Sequence, residues 1–203
     1  MSNPLEPDIE LMFRVKRGDM AAFEALVDKY KQPVINLIAR TLGDPTEAED
    51  LTQNVFVQVF RAASRYQPSA KFSTWLFTIA RNLCWNELRR RSRHPAVSLE
   101  QQHEDHEELG EKQFEDQRVT LPPDMLLRRE LETKVRQALA ELPENQRMAI
   151  LLFQEEELAY DDIAKILDCS LSATKSLIHR GRETLKQKLK PYLRAGDWHE
   201  SSN

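Results

Sequence analysis

The sequence predicts an all-α protein made of two small helical domains joined by a flexible acidic linker, and three observations carry that expectation. Glycine is scarce, at 5 of 203 residues, and apolar–polar alternation at strand spacing is nearly absent. Leu, Ala, Glu, Arg, Lys and Gln dominate, which favours helices. Apolar residues recur at helical spacing on both sides of a stretch from His94 to Pro123 that has no periodicity and ends in Pro122-Pro123. Hydrophobic residues make up 40% of the chain and charged ones 31%, so each half can bury a core. The boundaries read as a first domain at 1–95, a linker at 96–123, a second domain at 124–195 and a polar tail at 196–203.

The elements follow in order. Ile9, Leu11, Met12, Phe13 and Val15 give a short helix that Gly18 ends. Asp19 caps a second helix with Phe23, Leu26, Val27 and Tyr30 inward. Pro33 suits the first turn of a third, with Val34, Leu37 and Ile38 inward, and Gly43-Asp44-Pro45 is a turn. Thr46 and Glu49 form a capping box for a helix to Ala63. Its apolar stripe is Leu51, Val55, Val59 and Ala62, widened by Phe56 and Phe60. Asp50, Gln53, Asn54, Gln58 and Arg61 lie toward the other face, which is either plainly solvated or a partner surface; periodicity does not choose. After a loop with Pro68, Ser73 caps a helix to about Arg91 whose core candidates are Trp75, Leu76, Ile79, Leu83 and Leu88. It ends in an arginine run, which a helix C-terminus favours in any case.

The second domain opens with a helix from about Asp124 to Leu142, and Pro143 starts another carrying Met148, Leu151, Leu152 and Phe153. From Tyr160 to Leu189 two helices flank a break at Asp168-Cys169-Ser170, with Ser172 as N-cap of the second. That helix turns Ala173, Leu177, Ile178, Leu185 and Leu189 inward, and Lys175, Ser176, His179, Arg180, Arg182, Lys186 and Lys188 outward. This is the pattern of a helix-turn-helix, whose second helix enters the major groove of DNA. The alternative is two packed helices with a solvated basic face.

The formal net charge of −4 is not typical of a nucleic-acid-binding chain, but the charge is segregated. Lys71, Arg81, Arg89, Arg90, Arg91 and Arg93 face Glu87 alone in one stretch. Lys175, Arg180, Arg182, Lys186, Lys188 and Lys190 face only Glu183 in another. Between them, Glu100 to Arg118 is strongly acidic. Phe72, Trp75, Phe77 and Trp85, interleaved with Arg81 and Asn82, fit single-stranded or distorted DNA, because bases stack on rings while cations hold phosphates. The competing reading puts the aromatics in the core, and it is the stronger one for Phe77 and Trp85.

Other classes find little support. The chain has no Walker loop, no dinucleotide-binding glycine turn and no nucleophile elbow, so no enzyme is expected. His103 and His106, beside Glu104 and Glu107, lie in the linker, whereas metal ligands need rigid elements; no metal, cofactor or small-molecule substrate is expected. Cys84 and Cys169 read as free, buried thiols. The N-terminus MSNPLEPDIE lacks the apolar segment of a signal peptide, and no apolar run approaches a membrane span. A cytoplasmic location without membrane insertion is the expectation.

These residues also resemble a family: the extracytoplasmic-function, or group IV, sigma factors of the sigma-70 family, similar to the envelope-stress sigma-E type. The matches fall in family order. Gly18-Asp19 with Ala22-Phe23 and Leu26-Val27 resembles the start of the first domain, and Glu49 to Phe56 its polymerase-binding helix. Phe72 to Leu76 with Ile79 to Asn82 resembles the helix that reads the melted −10 element. Leu142-Pro143, Arg147 and Tyr160 to Ala164 resemble the second domain, and Ser172 to Ser176 with Arg180-Gly181-Arg182 its recognition helix. Five weak motifs in the right order and spacing are together specific.

The resemblance implies an initiation factor that directs core RNA polymerase to promoters. Asp50, Gln53, Asn54 and Gln58 would dock on the polymerase clamp. Lys71, Phe72, Trp75, Arg81 and Asn82 would work at the −10 element, with the loop from Gln67 to Lys71 helping to hold a flipped base. Thr174, Lys175, Ser176, His179, Arg180 and Arg182 would meet the −35 element. The linker would thread through the polymerase, and an anti-sigma factor would hold the free chain inactive. Gly181 stands where the family commonly has Ala. Two other classes compete. A stand-alone helix-turn-helix regulator would need a sensor domain and would bind duplex promoter alone. A helical adaptor would tolerate loss of Lys175 and Arg180.

Overall fold

In a computed structural model of the chain, residues 6–93, 123–155 and 158–195 are described. Every regular element among them is helical: α1 (Pro7–Lys16), α2 (Met20–Leu42), α3 (Pro45–Ala62), a 3-10 turn (Ala63–Arg65), α4 (Phe72–Arg93), α5 (Pro123–Ala140), α6 (Glu144–Phe153), α7 (Tyr160–Leu167) and α8 (Leu171–Ala195). The all-α expectation holds, with one helical group before the connector and one after it. The linker itself, with His103 and His106, lies outside the described residues.

Several local expectations change, each for an identifiable reason. The helix break expected at Pro33 is absent, because Ala22, Leu26, Tyr30, Val34, Leu37 and Ile38 continue one buried stripe straight through it. Pro33 lacks an N–H for the Lys29 carbonyl and costs about 3 kcal/mol. Burying the three apolar residues after it contributes roughly 1.5–3 kcal/mol each. Asp44, not Thr46, caps α3: its carboxylate accepts from the Glu47 amide at 3.0 Å, and Pro45, with its preset φ, takes the first turn. Ser170, not Ser172, caps α8, accepting from the Ala173 amide at 3.2 Å, while the Ser172 hydroxyl lies 3.1 Å from the Ser170 hydroxyl. Asp168 turns the chain there in the left-handed region at φ 54°. Ser73 does not cap α4. It is buried inside the first turn with its hydroxyl unpartnered, and the Lys71 carbonyl accepts from the Trp75 amide instead.

In the first group, Met12, Leu26, Leu37, Ile38, Phe72, Leu76 and Phe77 are fully buried or nearly so. Buried Asp8 anchors α1 on α2, accepting from Lys29 Nζ at 2.7 Å and from the Tyr30 hydroxyl at 2.5 Å. The arginine run does more than answer a helix dipole. Arg91 donates to Glu47, to Glu87 at 3.2 Å and to the Leu42 carbonyl at 3.0 Å, and Arg90 forks onto Glu87 at 2.7 Å twice. Burial pushes the Glu47 carboxyl up. For Glu87 burial acts the same way, but the arginines outweigh it and hold the carboxyl down. The charges of Arg90 and Arg91 are therefore largely answered by Glu47 and Glu87 within the fold.

In the second group, Met148, Leu152, Ile163 and Ile166 form the centre. Gly181 lets α8 cross α6 closely: a Cβ there would lie 2.8 Å from Ile150 Cγ1. Gly181→Ala is expected to destabilise the chain by about 1 kcal/mol net. Overpacking costs about 1–3 kcal/mol, against about 1 kcal/mol gained in helix propensity. Urea unfolding checks this, and a stabilised variant would contradict the close crossing.

The two groups pack on each other, α7 against α4 and α6 against α2. Arg147, on α6, donates to the Thr41 carbonyl at 2.7 Å and, within its own group, to the Leu142 carbonyl at 3.1 Å. Arg40 donates to Gln154 Oε1 at 3.1 Å.

Candidate functional site

The candidate residues occupy three helix faces. The first is on α3, where Asp50, Gln53, Asn54 and Gln58 are all exposed. Beside them runs an apolar groove of about 720 Å³ between α2 and α3, lined by Met20, Phe23, Val27, Phe56, Val57 and Phe60, with Gln53 and Arg61 on its edge. Met20, Val57 and Phe60 are large apolar side chains left open to water, at 57%, 43% and 46% exposure. The Phe23 and Phe60 rings meet edge-on, 5.2 Å apart. Helical spacing alone places Phe23, Val27 and Phe60 toward the core. The available signal was that α2 and α3 each carry more apolar positions than one buried stripe needs.

The second face is on α4. Lys71 is exposed and its Nζ lies 3.2 Å from Asp162 Oδ2 on α7. Trp75 is half-buried against Tyr66, with ring centroids 5.0 Å apart. Arg81 stacks 5.8 Å from Trp85 and donates through Nε to the Ile166 carbonyl at 2.7 Å. Asn82 is exposed. Phe72 corrects the expectation: it is 0% exposed, packed against Tyr30 at 5.4 Å, so its ring is core and touches no base in this conformation. Phe77, as the competing reading had it, is core as well. Beneath this face Tyr66 is buried with its hydroxyl unpartnered. Burial, with Glu6 and Asp8 nearby, pushes that hydroxyl up to about 12. The Cys84 thiol is likewise pushed up to about 12 by burial, which leaves it protonated and inert.

The third face is on α8. Lys175, Ser176, His179, Arg180 and Arg182 are exposed along it. Lys175 lies over the Tyr160 ring at 5.8 Å and Arg182 over Phe153 at 5.0 Å, so aromatics of α7 and α6 steady two of the cations. Thr174 is a second correction. It is 0% exposed, its hydroxyl bound to the Ser170 carbonyl at 3.1 Å and 3.2 Å from Cys169 Sγ, so it seats the helix and is closed to solvent. The helical period explains it: Thr174, Ile178 and Gly181 share the inward face.

A helix-turn-helix with a cationic outer face, tied to a second helical domain that carries an open apolar groove, is the architecture of a two-domain DNA-binding factor. The comparisons with known proteins narrow that class. The family profile Sigma-70 region 2 matches residues 26–94, and Sigma-70, region 4 matches 132–185. The chain is 38% identical over 190 residues to the RNA polymerase sigma-H factor of Pseudomonas aeruginosa, covering 93% of this chain and 97% of that one. It is 32% identical over 198 residues to the ECF RNA polymerase sigma-E factor of Escherichia coli, covering 96% and 100%. In fold it resembles CnrH, solved in complex with the cytosolic domain of CnrY, at a TM-score of 0.66 and 23% identity over 92% of this chain and 99% of that one. It also resembles the sigma factor RpoE from Bartonella quintana, solved with the anti-sigma factor NepR, at 0.60 and 22% over 83% and 96%.

The chain belongs to the extracytoplasmic-function, group IV, branch of the sigma-70 family. It is a sigma factor that directs RNA polymerase to promoters, a specificity subunit and not an enzyme. Among the described residues no helix is long and apolar enough to cross a membrane, and no group of His, Cys, Asp and Glu side chains could hold a metal.

Proposed function

We propose that three helix faces divide the work of initiation in the cytoplasm. In the first domain, residues 1–95, Asp50, Gln53, Asn54 and Gln58 of α3, together with the adjoining apolar groove, dock on core RNA polymerase. Lys71, just before α4, and Trp75, Arg81 and Asn82 on it hold the opened −10 strand. Stacking on Trp75 offsets the unstacking of a flipped base, which costs a few kcal/mol. In the second domain, 124–195, Lys175, Ser176, His179, Arg180 and Arg182 of α8 meet the −35 duplex. Lys175 and Arg180 are suited to guanine edges or phosphates, and Arg182 to phosphates. The observation that carries this reading is that all five α8 residues are exposed on one helix of a helix-turn-helix while Thr174, Ile178 and Gly181 anchor its other side. The complex of the sigma factor RpoE with the anti-sigma factor NepR supports regulation of this chain by an anti-sigma factor as well.

Run-off transcription with purified core polymerase on a promoter library tests the whole. Defined start sites are expected. Lys175→Ala with Arg180→Ala is expected to lower output at promoters with a −35 element by about 30-fold or more, each of the two lost base-pair contacts costing about 1–3 kcal/mol. Promoters selected on the −10 element alone should be less affected. Failure to direct any start site would sink the reading, and equal output from the double variant would sink the α8 assignment.

A further inference from the structure

We propose that Asp162 is an internal competitor for promoter DNA: its carboxylate occupies the phosphate position on the strand-reading face of α4, so the second domain latches the first until it is displaced. The inference rests on the assignment of α4 to the −10 strand and adds what holds that face in the free chain.

Three donors on α4 and the residue just before it point at α7. Lys71 Nζ lies 3.2 Å from Asp162 Oδ2, the Thr74 hydroxyl donates to Asp162 Oδ1 at 3.1 Å, and Arg81 Nε donates to the Ile166 carbonyl at 2.7 Å. An ammonium, a hydroxyl and a guanidinium on one helix face are the donor set that binds the phosphates of a nucleic-acid strand. In the closed chain they are met by a carboxylate and by a carbonyl in the last turn of α7, where the helix dipole is negative.

The carboxylate is enclosed in the interface, with Asp162 at 7% exposure. Burial alone would raise its proton affinity, but Lys71, the Ala159 amide and Thr74 outweigh that and keep it ionised. Asp162 also accepts from the Ala159 amide at 3.2 Å. Ala159 has no side-chain oxygen to cap α7, so Asp162 both starts that helix and faces α4. Lys71 is half exposed, which makes its ion pair individually weak and the latch reversible. Opening it frees Lys71, Thr74 and Arg81 together, and a strand bound to them prevents reclosing.

The test uses the full chain and two variants. Asp162→Asn keeps an oxygen for the Ala159 amide and loses the charge. Thr74→Val leaves α7 untouched and removes one donor. Small-angle X-ray scattering reads domain separation, thermal melting reads folding, and fluorescence anisotropy with a pool of fluorescein-labelled random 12-nucleotide single strands reads DNA binding. Asp162→Asn is expected to enlarge the radius of gyration and tighten binding about five-fold or more, with Thr74→Val shifting the radius the same way by less. The gain should vanish in Asp162→Asn with Lys71→Ala and persist in Asp162→Asn with Lys175→Ala. Folded variants of both kinds with the wild-type radius would overturn the latch. A chain that opens without binding the strands more tightly would instead overturn the assignment of α4 to the strand, and with it the competition.

Discussion

Phe60→Asp is expected to weaken binding to core RNA polymerase by about 30- to 100-fold while leaving the melting temperature nearly unchanged. Phe60 is 46% exposed, so the substitution removes little core packing, and a carboxylate there is well hydrated in the free chain. In the docking proposed above, polymerase covers the same position. A central aromatic anchor commonly contributes 2 kcal/mol or more to an interface, which is about 30-fold in affinity, and a charge buried without a partner adds to the loss. Titration of labelled core polymerase with wild-type and variant chains measures it. Gln53→Ala, on the polar edge of the groove, should cost less, since a rim contact excludes water and adds little energy. Equal affinity of Phe60→Asp and wild type would remove the groove from the docking surface and leave the polar residues of α3 to account for it.

Phe72→Ala is expected to act on stability, lowering it by about 3–5 kcal/mol. The ring is 0% exposed, tilted against Tyr30 at 5.4 Å and Trp75 at 5.9 Å, and its loss leaves a cavity between α2 and α4. Whole-protein stabilities are about 5–15 kcal/mol, so a large part of the folded margin goes. A fall in melting temperature of roughly 10 °C or more follows for a chain of this size. Trp75→Ala, half-buried and nearer the surface, should cost less stability and more −10 recognition. A Phe72→Ala chain that melts like wild type but no longer binds single strands would mean the ring leaves the core to meet DNA.

The corrections share one cause. A helical period read from sequence tells which residues share a face, but not where the edge of the buried sector falls. Thr174 and Lys175 are neighbours, and only packing on α6 and α7 puts the first inside and leaves the second out. Its apolar side chain places Phe60 in the core by sequence, yet among the described residues no element covers α3 on that side. Pro33 and Ser172 carry strong local signals that a longer apolar stripe and a nearer serine override.

By itself the sequence determined the all-α class, the two helical groups, the break at Asp168 to Ser170 and the outward set Lys175, Ser176, His179, Arg180 and Arg182, because each depends on local spacing and capping. Family membership was equally legible, in motifs kept in order along the chain. The tertiary structure alone decided that Arg90 and Arg91 reach Glu47, that the α2–α3 groove stays open, and that Asp162 meets Lys71 and Thr74. The contacts of Glu47 with the arginines and of Thr74 with Asp162 join residues 43 to 88 positions apart, and no periodicity along one helix carries information about which face of another it will meet.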